Sequence, residues 1–312
     1  MLMGRRVSGP RGGSCSRRSF LHVLPVALGV SLLTTSCGRV EDASDGSAVG
    51  ASGASALEGV RVTCIDVGKG DCILLQSGAS VVLIDTGYQE TADEVLSCLA
   101  KRGVGRLDAL VLTHYDKDHV GGLRAIAEAL EVGAVYLPSY EGADKNYAMT
   151  MEAVEDLGLG GERVTAERSL RLGDARLTIY PSGVAYVDDA NGDEGNDNDA
   201  SLVATLTCGD DSYLFAGDLE EDGIDAYLAA GHGHFDVIKM PHHGEKGGNV
   251  DELIDSVEPR IALITDSADD PADKKTLKLL KKRDVDTYRT SDCGTIVVEG
   301  DGSGGYAVST ER

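Results

Sequence analysis

His114-Tyr115-Asp116-Lys117-Asp118-His119 is the stretch that decides how this 312-residue chain is interpreted. It follows the apolar run from Leu107 to Thr113, which is typical of a buried strand, and it precedes Gly121-Gly122. Because Asp118 and His119 are adjacent, the polar residues cannot all lie on one face of a strand. A loop with three alternating ligands and one neighbour can instead offer side chains to two metal ions. Imidazole nitrogen and carboxylate oxygen suit Zn²⁺ or Mn²⁺, so the stretch predicts a centre of two divalent ions.

Other metal-competent residues also stand directly after apolar runs that are typical of strands. Asp85, Asp218 and the pair His242-His243 each occupy such a position. Strand ends at one edge of a sheet bring separated side chains into a common crevice, so we expect these residues to meet. His232 and His234, in a Gly-rich segment, are interpreted as solvent-exposed loop residues without a role.

The order of the elements predicts the fold class. Strand-like runs cluster in the first part of the chain, and strands alternate with helices afterwards. Helices are expected at residues 91–102, 219–230, 250–257 and 272–283, whereas residues 187–199 are acidic, rich in Gly and typical of a mobile loop. This order predicts an α/β protein in which two mixed sheets pack face to face with helices outside.

Composition limits the partners of the chain. It has 42% hydrophobic and 26% charged residues, as an ordinary globular protein does, and its formal net charge is −23. Five arginines and no acid precede Cys37, so removal of that segment leaves a charge of −28. A field of this sign repels phosphates, so we expect no strong nucleic-acid-binding face. A metal centre can still reverse the sign locally.

Residues 1–36 are predicted to be a signal peptide. Ser16-Arg17-Arg18-Ser19-Phe20-Leu21 matches the twin-arginine export pattern, and the apolar core at 21–33 is too short to span a bilayer comfortably. Leu33-Thr34-Thr35-Ser36-Cys37 resembles a bacterial lipobox. We therefore expect Cys37 to be lipidated and to begin the mature chain.

The segment after Cys37 is predicted to be a tether. Residues 37–58 are rich in Ser, Ala, Gly and Asp and lack apolar periodicity, and the folded domain is expected at 59–312. The protein would then be anchored to the outer face of the bacterial cytoplasmic membrane by lipid alone. An uncleaved N-terminal anchor is the alternative, and it also places the domain outside the cytoplasm.

Five further cysteines lack the CxxC spacing of zinc-finger sites. Export permits disulfides, and Cys64 and Cys72 flank a tight turn between two predicted strands, so they can pair. The alternative is that both are small buried hydrophobic side chains.

Together these motifs resemble the metallo-β-lactamase superfamily, in the form typical of the extracellular hydrolase domain of the ComEC competence family. That form has Asp in place of the usual second His of the cluster. The resemblance implies an αββα sandwich, here in a free-standing lipoprotein. Beyond the cluster, the likeness covers about residues 60–312 through Ile65–Asp71, Leu83–Gly87, Asn198–Val203, Phe215–Asp218, Lys239–Gly244 and Thr290–Gly294.

The resemblance implies two ion positions joined by one bridging carboxylate. His114 and Asp116 would hold the first ion, Asp118 and His119 would hold the second, and Asp218 would bridge them. The Asp and His ligands leave Zn²⁺ and Mn²⁺ as the two candidate metals.

The resemblance also assigns the residues around these positions. His243 would complete the second position, with His242 turned toward the substrate. Asn198 stands where many members have a further His, and its neutral amide oxygen predicts a labile first position or one better suited to Mn²⁺ than Zn²⁺. Asp85 is expected to orient His ligands from behind.

Asp66 and Asp71 are expected either to orient ligands in the same way or to cap turns. Three departures from the ComEC pattern alter the rim of the predicted centre. Lys69 replaces a Gln, Glu245 replaces the Ser after His-His-Gly, and residues 266–271 lack a His-Pro dipeptide. These changes spare the ligands, so they bear on substrate choice rather than on metal binding.

The leading hypothesis is a metal-dependent hydrolase of phosphodiester or related phosphoester bonds, in a small-molecule or nucleic-acid substrate. A metal-bound hydroxide would be the nucleophile, with Asp118 and Asp218 holding the ions and the hydroxide. Lys69 or His242 would neutralise the developing charge. The alternatives are a lactonase or β-lactamase-type hydrolase and a non-catalytic, competence-associated binding protein.

Overall fold

The computed structural model describes residues 57–187 and 195–312. The predicted signal peptide, the lipidated Cys37 and nearly all of the predicted tether lie outside the described residues, as does much of the acidic loop at 187–199. No helix in the part of the chain that the structure describes is long and apolar enough to cross a membrane.

The described residues form fifteen strands, most of them short and rich in Val, Ile and Leu. The runs that are buried on both faces read as continuous apolar stretches, such as Ile-Ala-Leu-Ile at 261–264, because helices or a second sheet cover each side. The strands are β1 (Leu57–Cys64), β2 (Ile73–Gly78), β3 (Ser80–Ile84), β4 (Arg106–Val111), β5 (Glu131–Pro138), β6 (Gly161–Val164), β7 (Arg168–Leu172), β8 (Ala175–Pro181), β9 (Leu202–Cys208), β10 (Asp211–Phe215), β11 (Val237–Lys239), β12 (Ile261–Ile264), β13 (Asp286–Arg289), β14 (Ile296–Gly300) and β15 (Tyr306–Thr310).

The strands form two mixed sheets. The first has the order β15-β14-β1-β2-β3-β4-β5-β6, antiparallel as far as β3 and parallel from β3 to β6. The second has the order β13-β12-β11-β10-β9-β8-β7, parallel from β13 to β10 and antiparallel beyond. Each sheet therefore has a parallel half whose strands end at the same edge.

The helices cover the outer faces of the two sheets. Val250, Leu253, Ile254 and Val257 are the buried positions of one helix, and this i, i+3, i+4, i+7 spacing gives it a single apolar face. The helices are α1 (Ala92–Lys101), α2 (Lys117–Val120), α3 (Leu123–Ala129), α4 (Lys145–Asp156), α5 (Glu221–Ala230), α6 (Val250–Val257), α7 (Lys274–Lys282) and α8 (Thr290–Cys293).

The core has three layers. The largest cluster lies between the sheets and joins apolar side chains of β1–β4 to those of β8–β12. A second cluster packs α1, α3 and α4 on the first sheet, and a third packs α5, α6 and α7 on the second. The predicted fold class is confirmed: the chain is an αββα sandwich of two mixed sheets flanked by helices.

Most predicted elements match the structure to within two residues. The predicted helix at 250–257 coincides with α6, and the predicted helix at 272–283 corresponds to α7. The sequence at 170–181 suggests one continuous strand, but the structure has a hairpin of β7 and β8 there, because Gly173 adopts a φ of +53° and turns the chain. Within this run of strand-forming residues, only the glycine indicates a turn.

Cys64 and Cys72 are free, fully buried thiols. The alternative of two small buried hydrophobic side chains is therefore confirmed, and the predicted disulfide is not formed. Burial and the nearby Asp71 together raise the pKa of the Cys64 thiol to about 12, although Lys239 lowers it. Both cysteines therefore behave as small apolar side chains.

Candidate metal centre

The candidate centre lies where the parallel strands of both sheets end. Asp85 directly follows β3, and Asp218 and Thr265 lie within three residues of the ends of β10 and β12. Two residues separate the end of β4 from the His114–His119 segment, and two residues likewise separate the end of β11 from the pair His242-His243. The side chains that the sequence predicts to share an edge are therefore brought to that edge.

A short helix explains the spacing within the His114–His119 segment. Asp116 has extended backbone angles and stands at the N-cap of α2, and its carbonyl accepts a hydrogen bond from the His119 amide at 2.9 Å. His114 therefore lies in the loop before the helix, and Asp118 and His119 lie in its first turn. Within that turn the two adjacent side chains both reach the centre, since Oδ2 of Asp118 is 3.9 Å from Nε2 of His119.

His119 lies between two carboxylates. Its Nδ1 is 2.8 Å from Oδ2 of Asp85, and its Nε2 is 3.2 Å from Oδ2 of Asp218. Nε2 of His243 is 3.1 Å from the same Asp218 oxygen and 3.4 Å from Nε2 of His119. Asp118 joins this group, since its Oδ2 is 3.3 Å from Nε2 of His243.

Hydroxyl groups fix which nitrogen of two histidines faces the centre. The Thr113 hydroxyl donates to Asp85 at 2.7 Å, so its lone pair can accept from Nδ1–H of His114 at 3.0 Å. The Thr265 hydroxyl donates to Asp71 at 2.6 Å and likewise faces Nδ1 of His243 at 3.0 Å. In each ring the Nε2 lone pair is left for the centre, as it is in most metal-bound histidines.

His114 carries a polar atom that the surrounding protein does not use. Its Nε2 is buried and has no hydrogen-bond partner among the described residues, and Oδ2 of Asp116 is 3.7 Å away. An unpaired buried nitrogen is costly unless a further group satisfies it. One ring nitrogen of His114 lies within 4.8 Å of ligand atoms of His119 and Asp218, and Asp118, His119 and His243 form a second such group. These donors fit divalent metal ions.

The pKa shifts of the buried acids and imidazoles show that the centre favours positive charge. Burial alone would raise the pKa of Asp218, but His119, His243 and Lys239 lower it well below its usual range. Burial alone would lower the pKa of His243, but Asp218 and Asp118 raise it to about 10. The carboxylates therefore favour positive charge on the imidazoles, and a metal ion can take the place of those protons.

The acids predicted to lie behind the ligands divide into two groups. Asp85 holds His119, and Asp71 is buried beside Thr265 and Lys239. Asp66 takes the turn-capping alternative instead: it accepts from the Gly68 amide at 3.2 Å and pairs with Arg312 at 2.7 Å.

Asn198 lies at the side of the centre and keeps one atom unpaired. Its Oδ1 is buried and has no hydrogen-bond partner in the described part of the chain, whereas its Nδ2 donates to Glu220 at 3.2 Å. Asp197, which the sequence reasoning missed, contacts the Asp116 carboxyl, and burial together with that charge raises the pKa of Asp197 to about 7. Its position in an acidic segment gave no signal that distinguished it from its neighbours.

The residues predicted to contact substrate are paired with acids at the rim. Lys69 forms ion pairs with Glu245 and with Asp270, the latter at 2.9 Å. Nδ1 of His242 is 3.0 Å from Oε1 of Glu220. These two side chains are 18% and 25% exposed, so they border the opening of the centre rather than its interior.

The turn that carries His242 and His243 has unusual backbone angles. Their φ values are +45° and +52°, a region that costs non-glycine residues free energy. This conformation places His243 inside, 1% exposed, and His242 outside.

The interpretation of His232 as a solvent-exposed residue is wrong. Its ring is stacked on Tyr227 at 4.8 Å between centroids and lies 4.6 Å from Tyr180, so it is half-buried. His234 is exposed, as expected. The Gly-rich segment gives no sign of this packing, because Tyr180 belongs to a distant strand and the contact with Tyr227 depends on how the chain turns after α5.

Two packed mixed sheets with a His/Asp set at their strand ends define a class of αββα metalloproteins. The family model of the metallo-beta-lactamase superfamily matches residues 65–287, and the chain belongs to that superfamily. Its members are generally metal-dependent hydrolases.

Curated relatives with competence-related names match most of the chain. ComE operon protein 3 of Bacillus subtilis is 27% identical over 260 residues, which cover 76% of this chain and 32% of that protein. Competence protein ComA of Neisseria gonorrhoeae is 27% identical over 206 residues, 65% of this chain and 26% of that protein. The chain thus spans about a third or less of the length of these relatives.

Solved structures share the fold. The metallo-beta-lactamase fold protein YhfI from Bacillus subtilis has a TM-score of 0.53 at 15% identity, and the match covers 78% of this chain and 100% of that one. CmlA, a diiron beta-hydroxylase from Streptomyces venezuelae, has a TM-score of 0.50 at 14% identity over 78% of this chain and 55% of that one. At such identities the likeness concerns the fold alone.

Proposed function

We propose that this protein is an exported, lipid-anchored, metal-dependent hydrolase of phosphodiester or related phosphoester bonds. The observation that carries the proposal is the meeting of His114, His119 and His243 with the carboxylates of Asp118 and Asp218 in two overlapping groups, with Nε2 of His114 left unpaired. The ComEC-like relatives support the phosphoester part of the proposal, because their names connect them with competence and recombination.

The ligand set divides naturally into two positions. His114, Asp116 and the amide oxygen of Asn198 would serve the first, and the group Asp118, His119 and His243 would serve the second, with Asp218 between them. Divalent Zn or Mn ions held there would supply Lewis-acid chemistry, polarising phosphoryl oxygens and activating water.

The protein's own groups would orient the reactants. The Asp118 side chain is 16% exposed and the Asp218 side chain only 3%. Asp118 would therefore face an entering water or phosphoester, while Asp218 would lie at the bottom of the centre. Lys69 and His242 would meet the substrate at the rim after exchanging their present carboxylate partners. A phosphoryl oxygen is a competent replacement for a carboxylate in such a charge-assisted hydrogen bond.

The acidic surface favours small phosphoesters, or short contacts with nucleic acid, over tight binding of a polyanion. The net charge is −23, and Glu220, Glu245 and Asp270 border the opening. Attraction of phosphate would therefore be confined to the metal centre. We propose that membrane attachment depends on lipid at Cys37 and that the domain acts outside the cytoplasm.

A comparison of three substrate classes tests the proposal. The full chain, loaded with Mn²⁺ or Zn²⁺, is expected to hydrolyse bis(p-nitrophenyl) phosphate faster than nitrocefin or a lactone. Preferential turnover of nitrocefin or the lactone would favour the C–N or C–O hydrolase instead. Metal binding without turnover of any of the three would favour a non-catalytic binding protein.

A further inference from the structure

Lys239 is a fully buried lysine in the wall of the centre. It is the last residue of β11 and is 0% exposed. Its Nζ donates to the Gly217 carbonyl at 3.1 Å and to Oδ1 of Asp218 at 3.2 Å, and it forms an ion pair with Asp71. An ammonium group removed from water is strongly destabilising unless acceptors surround it, and here all its acceptors belong to the centre or border it.

The lysine divides the two oxygens of Asp218 between different partners. Oδ1 faces Nζ of Lys239, whereas Oδ2 lies 3.2 Å from Nε2 of His119 and 3.1 Å from Nε2 of His243. A carboxylate with one oxygen held in this way cannot rotate freely to present both oxygens to the histidines. The lysine therefore determines which oxygen is available to a cation there.

The same ammonium group reaches the other side of the centre through Asp71. Lys239 pairs with Oδ2 of Asp71, and Oδ1 of Asp71 accepts from the Thr265 hydroxyl at 2.6 Å. That hydroxyl faces Nδ1 of His243 at 3.0 Å. One chain of contacts thus links Asp218 to the back of His243.

We propose that Lys239 is a positioning residue of the metal centre: it reserves Oδ1 of Asp218, leaves Oδ2 for the cation, and fixes His243 through Asp71 and Thr265. This inference rests on the metal centre of the proposed function, and it is independent of the substrate. The sequence analysis placed this lysine in the segment Lys239–Gly244 but assigned it no role, because a single Lys after two apolar residues is common at strand ends.

The sign of the effect on metal affinity separates positioning from simple charge. If Lys239 acted only as a nearby positive charge, its removal would tighten the binding of a divalent cation. If it positions ligands, its removal weakens binding, and loss of such an outer partner typically reduces metal affinity about 10- to 100-fold.

Two variants of the full chain provide the test. Lys239→Met removes the ammonium group, and the double variant Lys239→Met/Asp71→Asn also removes one carboxylate, so that the charge of the pair is unchanged. Lys246→Met is the matched control, since it removes a lysine on the exposed surface close to the same turn. Chelator-treated protein is titrated with Mn²⁺ alone and with Zn²⁺ alone by calorimetry, and Co²⁺ absorption spectra report the ligand arrangement.

We expect the double variant to bind metal about 10- to 100-fold more weakly than the wild type, with an altered Co²⁺ spectrum, while Lys246→Met is unchanged. Lys239→Met alone is expected to be less stable in the metal-free state, because it removes the ammonium group that the buried carboxylates of Asp71 and Asp218 share. If that variant does not fold, the double variant decides the matter.

Equal or tighter metal binding by the double variant would overturn the positioning role and leave the proposed function intact. Absence of metal binding by the wild type would overturn both. Recovery of thermal stability in the double variant without recovery of metal affinity supports positioning, because a purely structural role would restore both together.

Discussion

At the scale of single residues, the chemistry of the centre depends on what holds the outer nitrogen of each ring. Asp85 holds Nδ1 of His119, and the hydroxyls of Thr113 and Thr265 face Nδ1 of His114 and His243. Since these partners occupy Nδ1, each ring presents Nε2 inward. A substitution behind a histidine should therefore affect the centre without removing a ligand.

Asp218→Ala is expected to abolish hydrolysis and to lower metal content while the fold is retained. Asp218 Oδ2 lies 3.2 Å from Nε2 of His119 and 3.1 Å from Nε2 of His243, so its loss leaves the two imidazoles without a shared anionic partner. Turnover and metal stoichiometry of the purified protein measure the effect. His234→Ala, an exposed histidine, serves as the control and is expected to be silent. Normal turnover by Asp218→Ala would show that the active site lies elsewhere.

Removal of metal should make stability depend on pH through His243. The carboxylates raise the folded-state pKa of His243 from 6.5 to about 10, although burial opposes this. A raised pKa means that the stabilisation is complete below about pH 6.5 and is lost as the pH rises toward 10. We expect the melting temperature of chelator-treated protein to fall across this interval and His243→Ala to flatten the fall. Excess Zn²⁺ or Mn²⁺ should remove it, since a bound cation replaces the proton. A pH-independent melting temperature in the metal-free wild type would contradict this account.

At the scale of elements, the turn between β1 and β2 packs directly on the loop that carries the ligands. The Asp71 amide donates to the Asp118 carbonyl at 3.1 Å, and a Cβ added at Gly70 would lie 2.7 Å from that same oxygen. The glycine is therefore required by close approach of two backbones and not by its own φ angle. This contact couples the β1–β2 turn to α2.

Gly70→Ala is expected to weaken metal binding and to lower the melting temperature. The added methyl group must push the β1–β2 turn away from Asp118, since the obstructing atom is backbone and cannot rotate aside. Gly105→Ala is the matched control, because a Cβ there meets nothing within 4 Å. Calorimetric metal titration and thermal unfolding of both variants check the prediction. Equal metal affinity in the two variants would show that the turn can move without disturbing Asp118.

At the scale of the whole molecule, the sandwich brings the ends of parallel strands from two sheets to one edge. β3 and β4 contribute Asp85 and the His114–His119 segment, and β10 and β11 contribute Asp218 and His243. Neither sheet alone supplies both histidines of the His119–His243 pair. The centre is therefore a product of sheet packing, and substitutions in the core between the sheets are expected to affect it.

Cys37→Ala tests the proposed attachment to the membrane. Replacing the lipidated sulfur should release the protein from the membrane fraction or leave an unprocessed precursor, because the lipid anchor would supply most of the membrane affinity. Fractionation of cells and the N-terminal sequence of the purified protein measure the outcome. Unchanged fractionation together with a mature N-terminus at another residue would remove the lipoprotein proposal.

The sequence alone determined the fold class and which segments meet at the centre. Apolar runs and the polar residues that end them are local features, and the edge of a parallel sheet gathers such ends regardless of their distance in the chain. Asp85, Asp218 and the pair His242-His243 could be singled out in this way. The distinctive spacing of ligands from His114 to His119 also indicated membership of the metallo-β-lactamase superfamily.

Only the tertiary structure decided how the surrounding side chains pair. Asp71 belongs to the centre and Asp66 to a turn, although the two acids flank the same short segment. Lys69 meets Glu245, 176 residues further along the chain, and Lys239 meets Asp71 across 168 residues. Such contacts depend on the relative placement of two sheets to within an ångström. A sequence pattern fixes the direction of a side chain within its own element, but distances between elements follow from the packing of the whole core.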